Sequence, residues 1–132
     1  MKRITPEQVR EAFLFTGLTP RQGEFLFNDG CGCGLGAVYT KQRMEEANEQ
    51  FKNKEATISE WKNGTIDERH VCAELDEQYS SVYRTGFAQG FDGTPLDTEN
   101  YDSDLRERYE QGYKDGQDSF EAVQDLIPPV TI

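Results

Sequence analysis

The sequence is short of long apolar runs, of histidine and of cysteine. No apolar stretch approaches the roughly 20 residues that a helix needs to cross a bilayer, so we expect no membrane-spanning segment. The first residues, MKRITPEQVREAF, carry no apolar core behind their basic pair, which argues against a secretory signal and favours a cytoplasmic location. With one histidine and three cysteines, a dense disulfide framework is excluded, and in a reducing compartment the cysteines are thiols or metal ligands.

Basic residues are scarce in the second half of the chain. Residues 72–132 contain four Lys or Arg against fourteen Asp or Glu, whereas residues 1–43 contain six against four. The net charge of the whole chain is −11. An acidic block of this kind repels nucleic acid and anionic membranes, and it attracts basic protein surfaces. We therefore expect a protein partner, with a basic one favoured, and neither direct nucleic-acid binding nor membrane binding.

The sequence does contain a regular series of helix signals. Thr5-Pro6 and Thr19-Pro20 each place a capping hydroxyl before a proline, Thr57 and Thr65 each begin a capping box, and Gly17 provides a stop. Apolar residues recur at steps of three and four, as in Val9, Ala12 and Phe13; Leu35, Val38, Tyr39 and Met44; Val71, Leu75, Tyr79, Tyr83, Phe87 and Phe91; and Leu105, Tyr109, Tyr113, Phe120 and Val123. No stretch alternates with a period of two. The best strand candidates are the short EFLFN segment and a hairpin across Lys62-Asn63-Gly64-Thr65, and the capping boxes on either side of the second favour a helix–turn–helix there. The sequence therefore predicts an all-α fold with about five helices.

We expect one helical domain over residues 1–132, which is long enough to bury a core without disulfides. Its N-terminal helices occupy residues 1–54 and include a Gly/Cys turn at 30–36. The remaining region, 57–127, contains in order a helix at 66–91, an acidic loop at 92–104 and a helix at 104–125.

Residues 83–90 and 109–116 share the pattern Y-x-x-G-[FY]-x-x-G, 26 residues apart. Glycine costs about 1 kcal/mol relative to alanine inside a helix, so four such glycines need a compensating gain. Glycines four apart lie on one helix face and let another backbone approach closely, while the neighbouring aromatic rings supply burial. We therefore predict a pseudo-symmetric helical hairpin in which helices 66–91 and 104–125 cross at their glycine faces.

The same repeat resembles the pattern of the ribosome modulation factor family of small bacterial proteins. The resemblance is confined to residues 83–90 and 109–116, and that family is basic where this segment is strongly acidic. Because charge governs which partners such a surface attracts, the resemblance implies no function for this chain.

The cysteines and the histidine fall in two pairs of equal spacing, Cys31-x-Cys33 and His70-x-Cys72. Together they form a Cys3His set, which suits a tetrahedral structural zinc ion. Against this, structural zinc sites usually separate paired ligands by two to four residues, and residues two apart in a helix point to nearly opposite faces. Zinc bound by these four residues is therefore one of three hypotheses for this region.

A thiol enzyme is the second hypothesis. Cys33 precedes a predicted helix, whose N-terminal N–H groups lower a thiol pKa, and His70 could act as its base. Asp67, Glu74 or Asp76 would then orient the imidazole. The third and simplest hypothesis, which we favour, is that the glycines bend the chain into the helix and that the cysteines are small buried residues.

Three ligand-binding motifs are incomplete in this sequence. Gly32-x-Gly34 fits a loose dinucleotide fingerprint, but no second strand follows it, and no Gly-Lys-[Ser/Thr] completes a P-loop. The acidic loop is not an EF-hand, because positions 6 and 12 counted from Asp97 are Asp102 and Arg108.

The leading interpretation is a small acidic protein that binds another protein without catalysis of its own. It is motivated by the negative charge of the second half and by the weakness of each catalytic pattern. The alternatives are a Cys3His zinc protein, a Cys33/His70 thiol enzyme, and a mimic of nucleic acid that occupies a nucleic-acid-binding protein.

Overall fold

The structure, a computed structural model, describes residues 2–23, 31–46, 59–60, 64, 67–99 and 101–127. Within these ranges the fold is all-α, as predicted, with five α-helices and one pair of two-residue strands. The helices are α1 (Pro6–Thr16), α2 (Gly34–Glu46), α3 (Glu68–Tyr79), α4 (Ser81–Asp92) and α5 (Ser103–Ala122), and a short 3-10 helix follows at Gln124–Leu126. None of the described helices is long and apolar enough to cross a membrane. The EFLFN strand candidate and the capping threonines Thr57 and Thr65 lie outside the described residues.

Helix α1 begins and ends where the sequence predicts. The hydroxyl of Thr5 accepts a hydrogen bond from the backbone N–H of Gln8 at 3.1 Å, and Pro6 begins the helix. Gly17 ends the helix with a φ of 75° and donates its N–H to the carbonyl of Phe13. A residue with a side chain would be strained at that φ, so glycine suits this position.

The prediction of a second helix start at Thr19-Pro20 is wrong. These residues form strand β1 (Thr19–Pro20), which pairs in parallel with β2 (Cys31–Gly32). The N–H of Arg21 continues the pairing by donating to the carbonyl of Gly32 at 2.8 Å. Proline fixes φ near −65°, which suits an extended segment as well as a helix start, so the dipeptide alone does not decide between them.

The helix predicted over 66–91 is two helices, α3 and α4, separated by Ser80. Ser80 has a φ of 80°, and it is the only non-glycine residue with a positive φ in the described part of the chain. Its N–H donates to the carbonyl of Asp76, and its hydroxyl accepts from the N–H of Tyr83 at 3.3 Å. Ser80 thus ends one helix and caps the next, and an ion pair between Asp76 and Arg84 spans the joint.

The core contains a column of aromatic rings that continues from the end of α3 along α4. Successive ring centroids are 6.2, 6.5 and 6.5 Å apart in the series Tyr79, Tyr83, Phe87 and Phe91. Phe13 of α1 and Phe120 of α5 pack on the last ring, with centroids 6.4 and 5.1 Å away. Full burial of an apolar side chain of this size contributes roughly 1.5–3 kcal/mol, so this column is a main source of stability.

Helices α4 and α5 touch backbone to backbone at the four repeat glycines, as the sequence predicts. A Cβ atom added to Gly86 would lie 2.2 Å from the carbonyl oxygen of Tyr109, and one added to Gly112 would lie 2.2 Å from that of Tyr83. The second glycine of each repeat makes the equivalent contact, at 2.0 Å for Gly90 with Tyr113 and 2.2 Å for Gly116 with Phe87. The contacts therefore come in reciprocal pairs, which is the arrangement expected of a pseudo-two-fold relation between the repeats.

The direction of the two helices differs from the predicted hairpin. Contacts advance along both helices together, from Gly86 with Tyr109 to Gly90 with Tyr113, whereas antiparallel helices would show the opposite order. Helices α4 and α5 therefore run side by side in the same direction. The loop 93–102 returns along α5, since the hydroxyl of Tyr113 donates to the carbonyl of Thr94 at 2.5 Å.

Candidate functional site

The sequence-predicted thiol, Cys33, lies at the start of α2. Its carbonyl accepts a hydrogen bond from the N–H of Ala37 at 3.0 Å, so Cys33 leads directly into the helix. The thiol is buried, and Gly34 beside it packs on the rings of Phe87 and Phe91. Cys33 therefore precedes a helix, as predicted, and its thiol is buried in the apolar core.

His70 and Cys72 lie in the first turns of α3. Asp67 caps this helix, because its carboxylate accepts from the N–H of His70 at 3.2 Å and its own N–H donates to the imidazole Nδ1 at 3.2 Å. The helix thus begins at Glu68, later than a cap at Thr65 would place it. The imidazole is 56% exposed and Cys72 is half-buried. The first role that the geometry gives His70 is structural, as a partner in the helix cap.

The described side chains include no group of three or more His, Cys, Asp or Glu residues in position to hold a metal ion. Cys33, His70 and Cys72 are all described and do not form such a group, while the side chain of Cys31 lies outside the description. Zinc binding by the full set stays a prediction. About one zinc ion per purified chain, lost in a His70→Ala variant, is the result that would support it.

The expected lowering of the Cys33 pKa is wrong. Burial raises the pKa of Cys33 to about 12, although the backbone N–H of Gly36 acts in the opposite direction. Desolvation of the thiolate thus outweighs the helix N-terminus. A raised pKa leaves little thiolate at neutral pH, which argues against the thiol-enzyme hypothesis.

Alkylation of the native protein at pH 7 should accordingly spare Cys33. With a pKa of about 12, the thiolate fraction is roughly a thousandfold or more below that of an ordinary cysteine, before steric protection is counted. Mass spectrometry after iodoacetamide treatment measures this directly, and the same reaction in denaturant serves as the control. Rapid native labelling of Cys33 would contradict the buried environment and restore the thiol-enzyme hypothesis.

The repeat also places two tyrosine hydroxyls in equivalent networks that the sequence analysis did not anticipate. Tyr83 donates to the carboxylate of Asp115 at 2.5 Å and accepts from the N–H of Ile4 at 2.7 Å. Tyr109 donates to the side chain of Gln89 and accepts from the N–H of Asp97 at 3.0 Å. The acceptors Gln89 and Asp115 are also 26 residues apart. Each repeat therefore lends one acceptor to the other repeat's tyrosine, and each tyrosine holds a second segment of chain.

Asp115 of α5 holds the N-terminal segment of the chain. The guanidinium of Arg3 donates two hydrogen bonds to this carboxylate, at 2.9 and 3.0 Å, and Gln111 donates another at 3.0 Å. Asp115 is only 3% exposed. Burial acts to raise its pKa, but the hydrogen bonds from Arg3 and Tyr83 outweigh burial and hold the pKa below its usual range. The carboxylate is therefore ionised, and it accepts hydrogen bonds from Arg3, Tyr83 and Gln111 within the protein.

The tyrosines of α5 fix the acidic loop. Tyr109 binds the N–H of Asp97, Tyr113 binds the carbonyl of Thr94, and the ring of Tyr101 stacks on Tyr109 with centroids 4.6 Å apart. Because contacts at Thr94, Asp97 and Tyr101 hold the loop against α5, its described residues are presented from a defined backbone. Loop order of this kind lowers the entropy lost when a partner binds.

The loop and the first turns of α5 form a surface that mixes carboxylates with apolar side chains. We call it the acidic loop surface, and it comprises Leu96, Glu99, Tyr101, Asp102, Asp104, Leu105 and Glu107. Its four carboxylates are exposed and form no ion pair with any other described residue. Leu96 and Leu105 are 50% and 38% exposed, and they are two of four large hydrophobic side chains exposed to this degree in the described ranges.

A cleft of about 400 Å³ adjoins this surface along α5. Asp104 and Glu107 belong to both, and Arg3, Arg108 and Gln111 complete the lining of the cleft. Arg3 is already bound to Asp115, and Arg108 adds a second guanidinium group to the lining, so the cleft carries charges of both signs.

No protein-family model matches the chain, and no curated protein or solved structure matches it either. The residues themselves must therefore carry any functional conclusion. Sequence reasoning found the acidic loop and the glycine contacts, but it missed the Arg3–Asp115–Tyr83 network. The available signal was the alignment of Gln89 with Asp115 in the two repeats, one position before the second glycine of each.

Proposed function

We propose that this protein is a non-catalytic interaction module that binds a basic protein partner through the acidic loop surface. The observation that carries the proposal is the combination of exposed carboxylates without ion pairs in the described structure and a loop fixed by Tyr109 and Tyr113. A flexible acidic loop would serve solubility equally well. A loop held by specific hydrogen bonds is instead suited to presenting charge in one arrangement.

Electrostatics supports a basic partner over other classes. Residues 72–132 carry a net charge of −10, with four basic residues against fourteen acidic ones, and Asp115 uses its charge internally. The resulting negative field accelerates encounter with positively charged proteins and disfavours nucleic acid. Two of the residues considered for catalysis lie in surroundings that argue against it, since burial raises the pKa of Cys33 and His70 takes part in a helix cap.

The test is affinity capture at low salt, followed by measurement of the dissociation constant for the captured protein. We expect a basic protein whose affinity falls with added salt and falls about tenfold when Glu99, Asp102 and Asp104 become Gln, Asn and Asn. The matched control neutralises three exposed carboxylates of α3, by Glu68→Gln, Glu74→Gln and Glu77→Gln. That variant should bind nearly as the parent does, because its net charge matches the first variant and only the location differs.

Two outcomes would overturn the proposal. Equal losses in both variants would show that total charge, and not this surface, governs binding. Turnover of a small molecule by the purified chain would instead make the protein an enzyme. If the captured protein binds nucleic acid and DNA displaces it competitively, the partner's nucleic-acid site is the target, which would favour the mimic hypothesis.

A further inference from the structure

We propose that α3, α4 and α5 form a groove that binds a peptide segment in which an arginine precedes an aliphatic residue, and that the chain's own residues 2–4 occupy this groove as a tethered competitor. We call it the arginine groove, and it comprises Tyr79, Tyr83, Gln111 and Asp115. None of these residues belongs to the acidic loop surface. The inference therefore goes beyond the proposed function, and its failure would leave that function unaffected.

The groove holds an arginine by means of a buried carboxylate. The guanidinium of Arg3 donates two hydrogen bonds to Asp115, which is almost fully buried. A planar guanidinium matches a carboxylate in this two-pronged geometry, which the ammonium group of lysine cannot reproduce. Tyr83 and Gln111 also donate to the same carboxylate, so its position does not depend on Arg3 alone.

The residues on either side of the arginine make contacts of their own. The N–H of Ile4 donates to the hydroxyl of Tyr83 at 2.7 Å, and the side chain of Ile4 is buried in the apolar core. The ammonium group of Lys2 lies 5.1 Å from the centroid of the Tyr79 ring, an attractive arrangement for a cation. Residues 2–4 thus present to the groove, in order, a cation, an arginine and an aliphatic residue.

These contacts are of a kind that a separate peptide can also make. Residues 2–4 belong to no helix or strand, and no backbone-to-backbone hydrogen bond joins them to another described residue. Helix α1 begins only at Pro6, after its cap at Thr5. Release of residues 2–4 therefore breaks no hydrogen bond within α1, and such local opening would leave the groove free for a competing segment.

The second repeat provides an internal comparison for the preference for arginine. Tyr109 accepts from the N–H of Asp97 as Tyr83 accepts from that of Ile4, but the partner of Tyr109 in the other repeat is the neutral Gln89. An amide offers no charge to a cation, and the segment held by Tyr109 is acidic. The carboxylate at the equivalent position, 26 residues later, is therefore the group that makes the arginine groove select a guanidinium.

The experiment uses the full chain and a fluorescently labelled Lys-Arg-Ile-Thr peptide that is blocked at both ends. Tethered residues compete at high effective concentration, so the peptide should bind the parent chain weakly. Arg3→Gln weakens the tethered competitor, and fluorescence anisotropy should then show binding about tenfold tighter than to the parent. The matched control is Arg10→Gln, which removes the same charge from the pair with Asp125 and should bind the peptide as the parent does.

Two further measurements test the recognition of arginine. A peptide with glutamine in place of arginine should bind the Arg3→Gln chain about tenfold more weakly, and adding Asp115→Asn to that chain should weaken the original peptide by a similar factor. Adding Asp125→Asn instead removes an exposed carboxylate and should leave the affinity unchanged. Equal binding in all these combinations would show attraction by net charge alone and would overturn the inference.

Hydrogen exchange in the parent chain keeps the inference testable if Arg3→Gln unfolds. The amide of Ile4 should exchange about a hundredfold or more faster than that of Phe87 in α4, because only the release of residues 2–4 is needed. Equal protection of the two amides would mean that the segment leaves only on global unfolding, which contradicts a tethered competitor. A folded Arg3→Gln chain that binds no peptide contradicts it as well.

Discussion

Replacing Gly90 and Gly116 by alanine should lower the melting temperature by about 10 °C or more. The sign is informative, because alanine favours a helix over glycine by about 1 kcal/mol per residue and would stabilise an open position. Here each new Cβ would lie 2.0 or 2.2 Å from a backbone carbonyl oxygen of the facing helix. Overpacking of this kind typically costs about 1–3 kcal/mol per site. The backbone atoms of the facing helix cannot rotate away from the new Cβ as a side chain could. Thermal unfolding followed by circular dichroism measures the effect.

The control for this experiment is Gln117→Ala, next to Gly116 on the exposed face of α5. It introduces the same residue into the same helix without a facing backbone, so the melting temperature should hold or rise. Leucine at Gly90 and Gly116 should be more damaging than alanine. A double alanine variant that melts at or above the parent's temperature would show that the two backbones do not touch, and the described packing of α4 against α5 would be wrong.

Breaking the Arg3–Asp115 pair should destabilise the protein more than neutralising both partners. Arg3→Gln leaves a carboxylate that is 3% exposed without its cation, which is the costly situation for a buried charge. Adding Asp115→Asn should recover part of the loss, because a neutral amide there matches Gln89 in the other repeat. Asp115→Asn alone should cost about 1–3 kcal/mol at neutral pH, the typical contribution of hydrogen bonds to a charged group. Urea unfolding of the parent and the three variants gives the unfolding free energies for a double-mutant cycle.

The pH dependence of the same variants supplies an independent check. The folded-state pKa of Asp115 lies below its usual value, so its ionisation adds stability above the ordinary Asp pKa, near 3.9. That contribution is lost as the pH falls from there through the lower folded-state value. The difference in unfolding free energy between the parent and Asp115→Asn should therefore shrink in acid.

A surface pair provides the comparison. Arg10 and Asp125 also form a two-pronged contact, at 2.7 and 2.9 Å, but the side chain of Asp125 is 64% exposed, whereas that of Asp115 is buried. Arg10→Gln should change stability less than Arg3→Gln does, because solvent screens the exposed carboxylate of Asp125. Equal effects of Arg3→Gln and Arg10→Gln would contradict the importance assigned to burial of Asp115.

The sequence by itself determined most of the helices and the contact between the repeats. Thr5, Pro6 and Gly17 set both ends of α1, because capping and left-handed glycine are local properties of the backbone. The glycine spacing predicted the close approach of two helices, since four glycines on helix faces are costly unless a second backbone uses the space. The acidic loop and its charge were also evident, as composition alone fixes them.

Only the tertiary structure decided which way those helices run and what surrounds each polar group. Glycine faces pack equally well in either direction, and a loop of ten residues is long enough to return along α5, so spacing could not choose between them. The apolar residues on both sides of Ser80 keep the spacing of one continuous helix, so the sequence pattern does not reveal the break there. The pKa of Cys33 depends on burial by residues that are distant from it in sequence. Periodicity records which residues face a core, whereas direction, burial and charge pairing depend on which distant residues meet there.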